Sequence, residues 1–225
     1  MVLFPTEEWL AAYERRLDGS GAFSEAGSGR GVGFDGDVVL AIRELPLEEA
    51  TVRDLPVEAF DGLPRTLRRP LSALALDGAA TPVVRSLFAS ARWVDPGIPL
   101  ADLAALTNGR HVRDALPERT ADLLEQLDRH VVDDAIYVWV GLEDGDYTGI
   151  EIVDPIDRRD AGFVLSGPYS AWVEIVDGDL DVPSAVASSA LTVSGTDDVG
   201  RLAEHAGTVK LLGDAAANVE TTRLF

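Results

Sequence analysis

Apolar positions at helix spacing open the chain: Trp9, Leu10, Tyr13 and Leu17 recur at i, i+1, i+4 and i+8. Thr6 stands at the N-cap position, and Glu7 and Glu8 fill the first turn, where carboxylates complement the helix dipole. Gly19 and Gly21 end the pattern. A glycine-rich passage, AGSGRGVGF, leads into two strand-like segments, residues 31–34 and 37–42, with Asp35-Gly36 between them, which predicts a hairpin.

From residue 47 to about 133 the texture is rich in Pro, Leu, Ala and Arg, with helical periods and few strand signals. Helices are expected over residues 82–93 and 100–106. A third is expected from Pro117, read as an N1 proline, with Ala121, Leu124, Leu127 and Val131 on one face. Strand character returns at Ala135. Residues 136–142 and 147–153 read as two strands joined at Asp144-Gly145, followed by a strand at 163–165 and a helix at 169–176. A small-residue segment, 183–188, and a strand at 191–193 come next. The last helix opens at Thr196, and its Val199, Leu202, Ala206, Val209, Leu212 and Ala216 form one apolar stripe.

These elements specify an α+β fold: a five-stranded, mainly antiparallel sheet covered by the N- and C-terminal helices, with a helical block inserted between strands two and three. The early hairpin cannot bury its own apolar face and must join the later strands. One domain over residues 1–225, with a helical insertion at about 43–134, is therefore expected.

Charge narrows the function. The chain carries 39 acidic and 19 basic residues, a formal net charge of −20, and Lys210 is its single lysine. Such a surface is of halophilic type, because in molar salt the Debye length falls to roughly 3 Å and self-repulsion is screened. Acidic clusters are then solvated surface first and sites second. Scattered arginines among carboxylates supply no stripe for nucleic acid, and the densest basic spot, Arg65, Arg68 and Arg69, has no interleaved aromatics. With no cysteine, disulfides, thiolate catalysis and Cys-ligated zinc are excluded. No apolar run approaches the roughly 20 residues of a membrane span, and the opening MVLFPTEEW lacks a basic leader, so a cytoplasmic protein is expected.

The search for chemistry returns little. His111, His130 and His205 fall on separate predicted elements and read as structural. Asp177-Gly178-Asp179-Leu180-Asp181 echoes a calcium loop, but Val182 stands where its glycine belongs and Ser188 where its glutamate belongs. The run from Gly27 to Gly33 lacks GxGxxG spacing, and Ser166-Gly167 lacks the Gly-x-Ser-x-Gly of a nucleophile elbow. No catalytic residue, cofactor or metal is implied. What converges is apolar: Tyr137, Trp139, Trp172 and Val176, with Leu202 and Val209 of the last helix, are the candidate ligand-binding residues.

The stretch Phe163-Val164-Leu165-Ser166-Gly167, with Tyr169, Trp172, Gly178, Leu180-Asp181, Ala185, Leu191-Thr192-Val193-Ser194-Gly195 and the helix over 199–212, resembles the sterol carrier protein type 2 (sterol-binding) family. The opening helix with Trp9 and Tyr13 and the 32–42 hairpin fall where that family has its first helix and first two strands. The likeness covers about residues 4–42 and 135–220. It implies a hydrophobic tunnel between sheet and helices that holds sterols, acyl chains or related lipids without turnover. Two departures stand out: Ala187-Ser188-Ser189-Ala190 replaces a Met or Leu followed by Ser/Asn-Gly-Lys, and the 43–134 block has no counterpart. A high-salt cytoplasm, chiefly an archaeal setting, would make an isoprenoid or acyl chain the expected ligand rather than a sterol. The competing expectation is a ligand-free scaffold or accessory protein of lipid or quinone metabolism, with the insertion binding a protein partner. An enzyme would need a polar cleft, such as Glu143 or His130 near Arg158 and Arg159. Neither reading involves nucleic acid or stable membrane insertion.

Overall fold

Val38, Val39, Leu40, Ala41 and Ile42 are all buried, so the strand they form is covered on both faces. This computed structural model describes residues 1–18, 37–60, 97–107, 113–114, 116–143, 146–154, 162–195 and 206–225. The chain divides into two compact units. One comprises Met1–Val2, Glu7–Leu45 and Val132–Thr221, and the other Leu3–Thr6, Pro46–Val131 and Thr222–Phe225.

The first unit holds a five-stranded sheet. Its strands are β2 (Val38–Arg43), β3 (Ile136–Glu143), β4 (Asp146–Val153), β5 (Phe163–Pro168) and β6 (Thr192–Ser194), in the order β4-β3-β2-β5-β6. β2 runs antiparallel to β3 and parallel to β5, while the β3–β4 and β5–β6 pairs are antiparallel. The mixed, mainly antiparallel sheet is as the pattern predicts.

One detail differs from expectation. Both edges of β2 are taken, by β3 and by β5, which leaves it no edge for a hairpin partner; residues 31–34 lie outside the described set. Among the described residues β2 is followed in the sheet by β3, with residues 44–135 between them in sequence. Local periodicity reveals that a strand exists, but which neighbours win its edges is decided by burial across the whole sheet.

Among the described residues, four helices accompany the sheet: α1 (Glu7–Asp18), α4 (Tyr169–Val176), α5 (Val182–Ala187) and α6 (Ala206–Ala217). α1 buries the predicted Trp9, Leu10, Tyr13 and Leu17, and its Trp9 and Tyr13 rings stack with centroids 5.0 Å apart. The Tyr13 hydroxyl donates to the Leu212 carbonyl at 3.0 Å, which ties α1 to α6. α6 also packs on α4 and α5. Gly213 permits that approach, because a Cβ there would stand 2.8 Å from Val182 Cγ2 and 3.7 Å from Ile175 Cγ2.

The second unit contains a 3-10 turn at Val57–Ala59, α2 (Leu100–Thr107) and α3 (Glu118–His130). α3 buries Ala121, Leu124 and Leu127 as the stripe predicts, and Thr120 and Leu123 as well. Pro117 is the N-cap of α3 rather than its first helical residue, with φ −54° and ψ 139°. Its extended ψ places it just outside the helix, where a missing N–H costs nothing. Buried Thr120 donates its hydroxyl to the Ala59 carbonyl at 2.8 Å. The backbone N–H of Leu100 donates to Ala50 at 2.8 Å and that of Ala101 to Leu47 at 3.1 Å. The helix expected over 82–93 lies outside the described residues.

Near the chain ends, β1 (Val2–Phe4) and β7 (Thr221–Arg223) pair as a two-stranded ribbon that the periodicity did not suggest. Three-residue strands are too short to show alternation.

Candidate functional site

The register sorts the sheet into two faces. On one, Ile152, Val138, Leu40, Leu165 and Val193 form a row across all five strands, and Ile150, Val140, Val38 and Phe163 form the next. On the other, the rows are Glu151, Trp139, Val39, Val164, Ser194 and Val153, Tyr137, Ala41, Ser166, Thr192. The first face is wholly apolar. The second is apolar at its centre, with a carboxylate on the β4 edge and hydroxyls toward β6.

A bulge shows which face the helices take. Gly141 pairs with Gly149 and Leu142 with Tyr147, so Thr148 is the extra residue in β4. The bulge turns Tyr147 onto the face of Leu142 and Val140. There its hydroxyl donates to Glu14 of α1 at 3.2 Å. The helix layer of α1 with α6, and through α6 with α4 and α5, thus lies on the all-apolar face. Burial, and next the neighbouring Tyr147, push the Tyr13 phenol well above the ordinary tyrosine range. Desolvation first, then the Glu14 carboxylate, does the same to Tyr147.

Tyr137 and Trp139 stand on the face turned away from these helices. Tyr137 forms a buried cluster with Val39, Ala41 and Ala135, against which the partly buried Trp139, Val153 and Val164 pack. The Trp139 indole lies across two glycines. A Cβ on Gly141 would come within 2.8 Å of Trp139 Cζ2, and one on Gly149 within 3.6 Å of Cζ3. Paired glycines across β3 and β4 make a flat seat for the ring, an arrangement in which the aromatic covers backbone left bare. Sequence reasoning passed over this pair, although Gly-Leu-Glu at the end of β3 and Thr-Gly-Ile in β4 were its visible signal.

Trp172, Val176 and Val209 are buried in the helix layer. Trp172 is anchored by its indole N–H, which donates to the Ala41 carbonyl of β2 at 3.2 Å. Thus Tyr137 and Trp139 share one face, while Trp172, Val176 and Val209 belong to helices that layer on the other. Leu202 lies outside the described residues, as do His111 and His205. His130 is the last residue of α3.

The acidic break between α4 and α5 is a capping structure. Gly178, at φ +80°, follows the end of α4. Asp181 caps α5, accepting from the Ser184 backbone N–H at 2.8 Å and from its hydroxyl at 2.9 Å. Those bonds, the backbone one foremost, hold the Asp181 carboxyl below its ordinary range. Among the described residues no three His, Asp or Glu side chains are grouped as metal ligands. The buried polar or charged side chains among them are Thr6, Thr120 and Thr208. No described helix is long and apolar enough to cross a membrane.

No protein-family model and no curated protein matches the chain. Among solved structures it is similar to the crystal structure of sterol carrier protein 2, with 18% identity and a TM-score of 0.49 over 95% of this chain and 97% of that one. It is also similar to the solution structure of a conserved hypothetical protein from Thermus thermophilus, with 18% identity and a TM-score of 0.49 over 96% of this chain and 90% of that one. At this distance the chain's chemistry rests on its own residues.

Proposed function

We propose that the protein binds and carries a hydrophobic ligand, an isoprenoid or acyl chain, without chemical turnover, in a high-salt cytoplasm. The observation that carries this reading is a sheet apolar at the centre of both faces, with an aromatic pair, Tyr137 and Trp139, on the face turned away from α1. Trp139, Val153 and Val164 are partly buried, as the rim of an apolar site would be. Trp172, Val176 and Val209 form a second candidate wall inside the helix layer. A chain of ten buried methylenes would gain roughly 8 kcal/mol before ordering and association costs, so the net affinity falls short of micromolar by the size of those costs.

Native mass spectrometry of protein purified in molar salt, followed by lipid extraction, tests the reading directly. A co-purifying isoprenoid or acyl lipid is expected. Protein that emerges empty and takes up no long-chain alcohol would overturn it. The wall is assigned by comparing Trp139→Phe and Trp172→Phe. The variant that loses the ligand-induced change in tryptophan emission identifies the face that holds the chain. A cavity of about 300–1,000 Å³ beside that face is expected.

A further inference from the structure

The chain leaves the five-stranded sheet after β2 and returns to it before β3 at one point. The Leu45 N–H donates to the Asp134 carbonyl at 3.0 Å, and Val132 and Ala135 exchange two backbone bonds, at 2.9 and 3.1 Å, around Asp133-Asp134. Both central residues of that reversal have positive φ, 50° and 56°, and Glu44 stands at 57°. Of the four non-glycine residues in the left-handed region among the described residues, three are in this neck. Each costs free energy that a glycine would not. The neck persists because the strand pairing that continues from it, with Ile42 opposite Ile136, over-determines its backbone.

The neck belongs to the same compact unit as the sheet, whereas Pro46–Val131 belongs to the other. In its described parts, Pro46–Val131 has backbone bonds and buried side chains of its own. Ala50 and Leu47 accept from the Leu100 and Ala101 amides, and Ala59 accepts from the Thr120 hydroxyl. Leu47, Leu55, Leu100, Leu103 and Leu124 are at most 4% exposed. Its helices α2 and α3, of 8 and 13 residues, are of lengths that are marginal without packing. Residues Val38–Ile42 of β2, by contrast, are buried and paired on both edges. We infer that residues 46–131 unfold and refold as one cooperative unit while the sheet and the neck stay folded. An insertion whose two ends are already tied together is not needed to keep β2 and β3 in register. The left-handed neck is the device that separates the two events: it closes the sheet unit across the insertion, so opening of 46–131 breaks no strand pairing.

Native-state hydrogen exchange of the full chain in molar salt, followed through low denaturant, tests this in wild type and in the double variant Asp133→Gly/Asp134→Gly. In wild type, the Leu100, Ala101, Ala121 and Val131 amides should exchange through one shared opening, about tenfold or more less protected than the hydrogen-bonded amides of β2 and β3. The double variant relaxes the neck, which is intact in the open form and lost only on global unfolding. It should therefore raise protection of the β2 and β3 amides about threefold to tenfold and leave the 46–131 group unchanged. A single protection level for both groups, or the reverse order, would overturn the inference. A rise shared by both groups would overturn it as well, since the neck would then open with the insertion. A rise in neither would show that the left-handed residues carry no cost, and the neck would lose its role.

Discussion

Tyr13→Phe, followed across alkaline pH, probes the contact that fastens α1 to α6. The Tyr13 side chain is fully enclosed, and its hydroxyl donates to the Leu212 carbonyl at 3.0 Å. Only the neutral phenol can make that bond; a phenolate would face a carbonyl oxygen without solvent. Burial, with Tyr147 alongside, therefore holds the folded-state pKa far above the ordinary value of 10.0. A group whose pKa is raised on folding stabilises the native state below its unfolded pKa. That contribution disappears as pH climbs from there toward the folded value. At pH 11 an unfolded phenol is about ten parts ionised to one neutral, which lowers native stability by about 1.4 kcal/mol relative to pH 8. Against this stands the neutral-pH worth of the hydrogen bond, about 1 kcal/mol. Denaturant unfolding at constant salt should find wild type more stable than Tyr13→Phe by about 1 kcal/mol at pH 8. By pH 11 the two should be equal, or the variant slightly ahead. Tyr147 and Lys210, the latter raised by its hydrogen bond to Asp214, lose stability in the same alkaline window. They do so in both proteins, so the difference between wild type and variant isolates Tyr13. A difference that stays constant from pH 8 to 11 would refute the buried-donor account.

Gly213→Ala gains up to about 1 kcal/mol of helix propensity but sets a methyl 2.8 Å from Val182 Cγ2, an overpacking cost of about 1–3 kcal/mol. The clash should win, lowering Tm by a few degrees in calorimetry, whereas an unchanged or raised Tm would mean α5 yields freely. Trp172→Phe removes the donor to the Ala41 carbonyl and part of a buried ring, so unfolding free energy should fall by about 2–3 kcal/mol. A loss below the error of a denaturant titration would show that this anchor is dispensable. Asp181→Ala removes the α5 cap and should lower thermal stability at neutral pH. Because its carboxyl pKa is depressed on folding, the deficit should fade as acid protonates the wild-type group, and a deficit unchanged down to pH 2 would contradict the capping role.

The amphipathic stripes of α1 and α3, the eight-residue α4 and the hairpin β3–β4 were all legible in the sequence. Each is determined by spacing over a few residues: periods near four for the helices, alternation and an Asp-Gly turn for the hairpin. The acidic break was legible as something other than a calcium loop, and its capping role, with Asp181 accepting from Ser184, came from the structure. Composition told where charge would go, and the five-stranded α+β class followed from the order of elements. The candidate aromatics were visible as residues, but their grouping was not.

Tertiary structure alone decided that β2 sits at the centre with β5 parallel beside it, since strands far apart in the chain compete for the same edges. It alone decided that Tyr137 and Trp139 face away from the helix layer that contains Trp172, Val176 and Val209. Alternation determines that neighbouring side chains part to opposite faces, but not which face the helices take. The bulge at Thr148, which turns Tyr147 toward Glu14 of α1, shows which face they take. The same register sets Glu151 beside Trp139, a pairing twelve positions apart that no local pattern encodes.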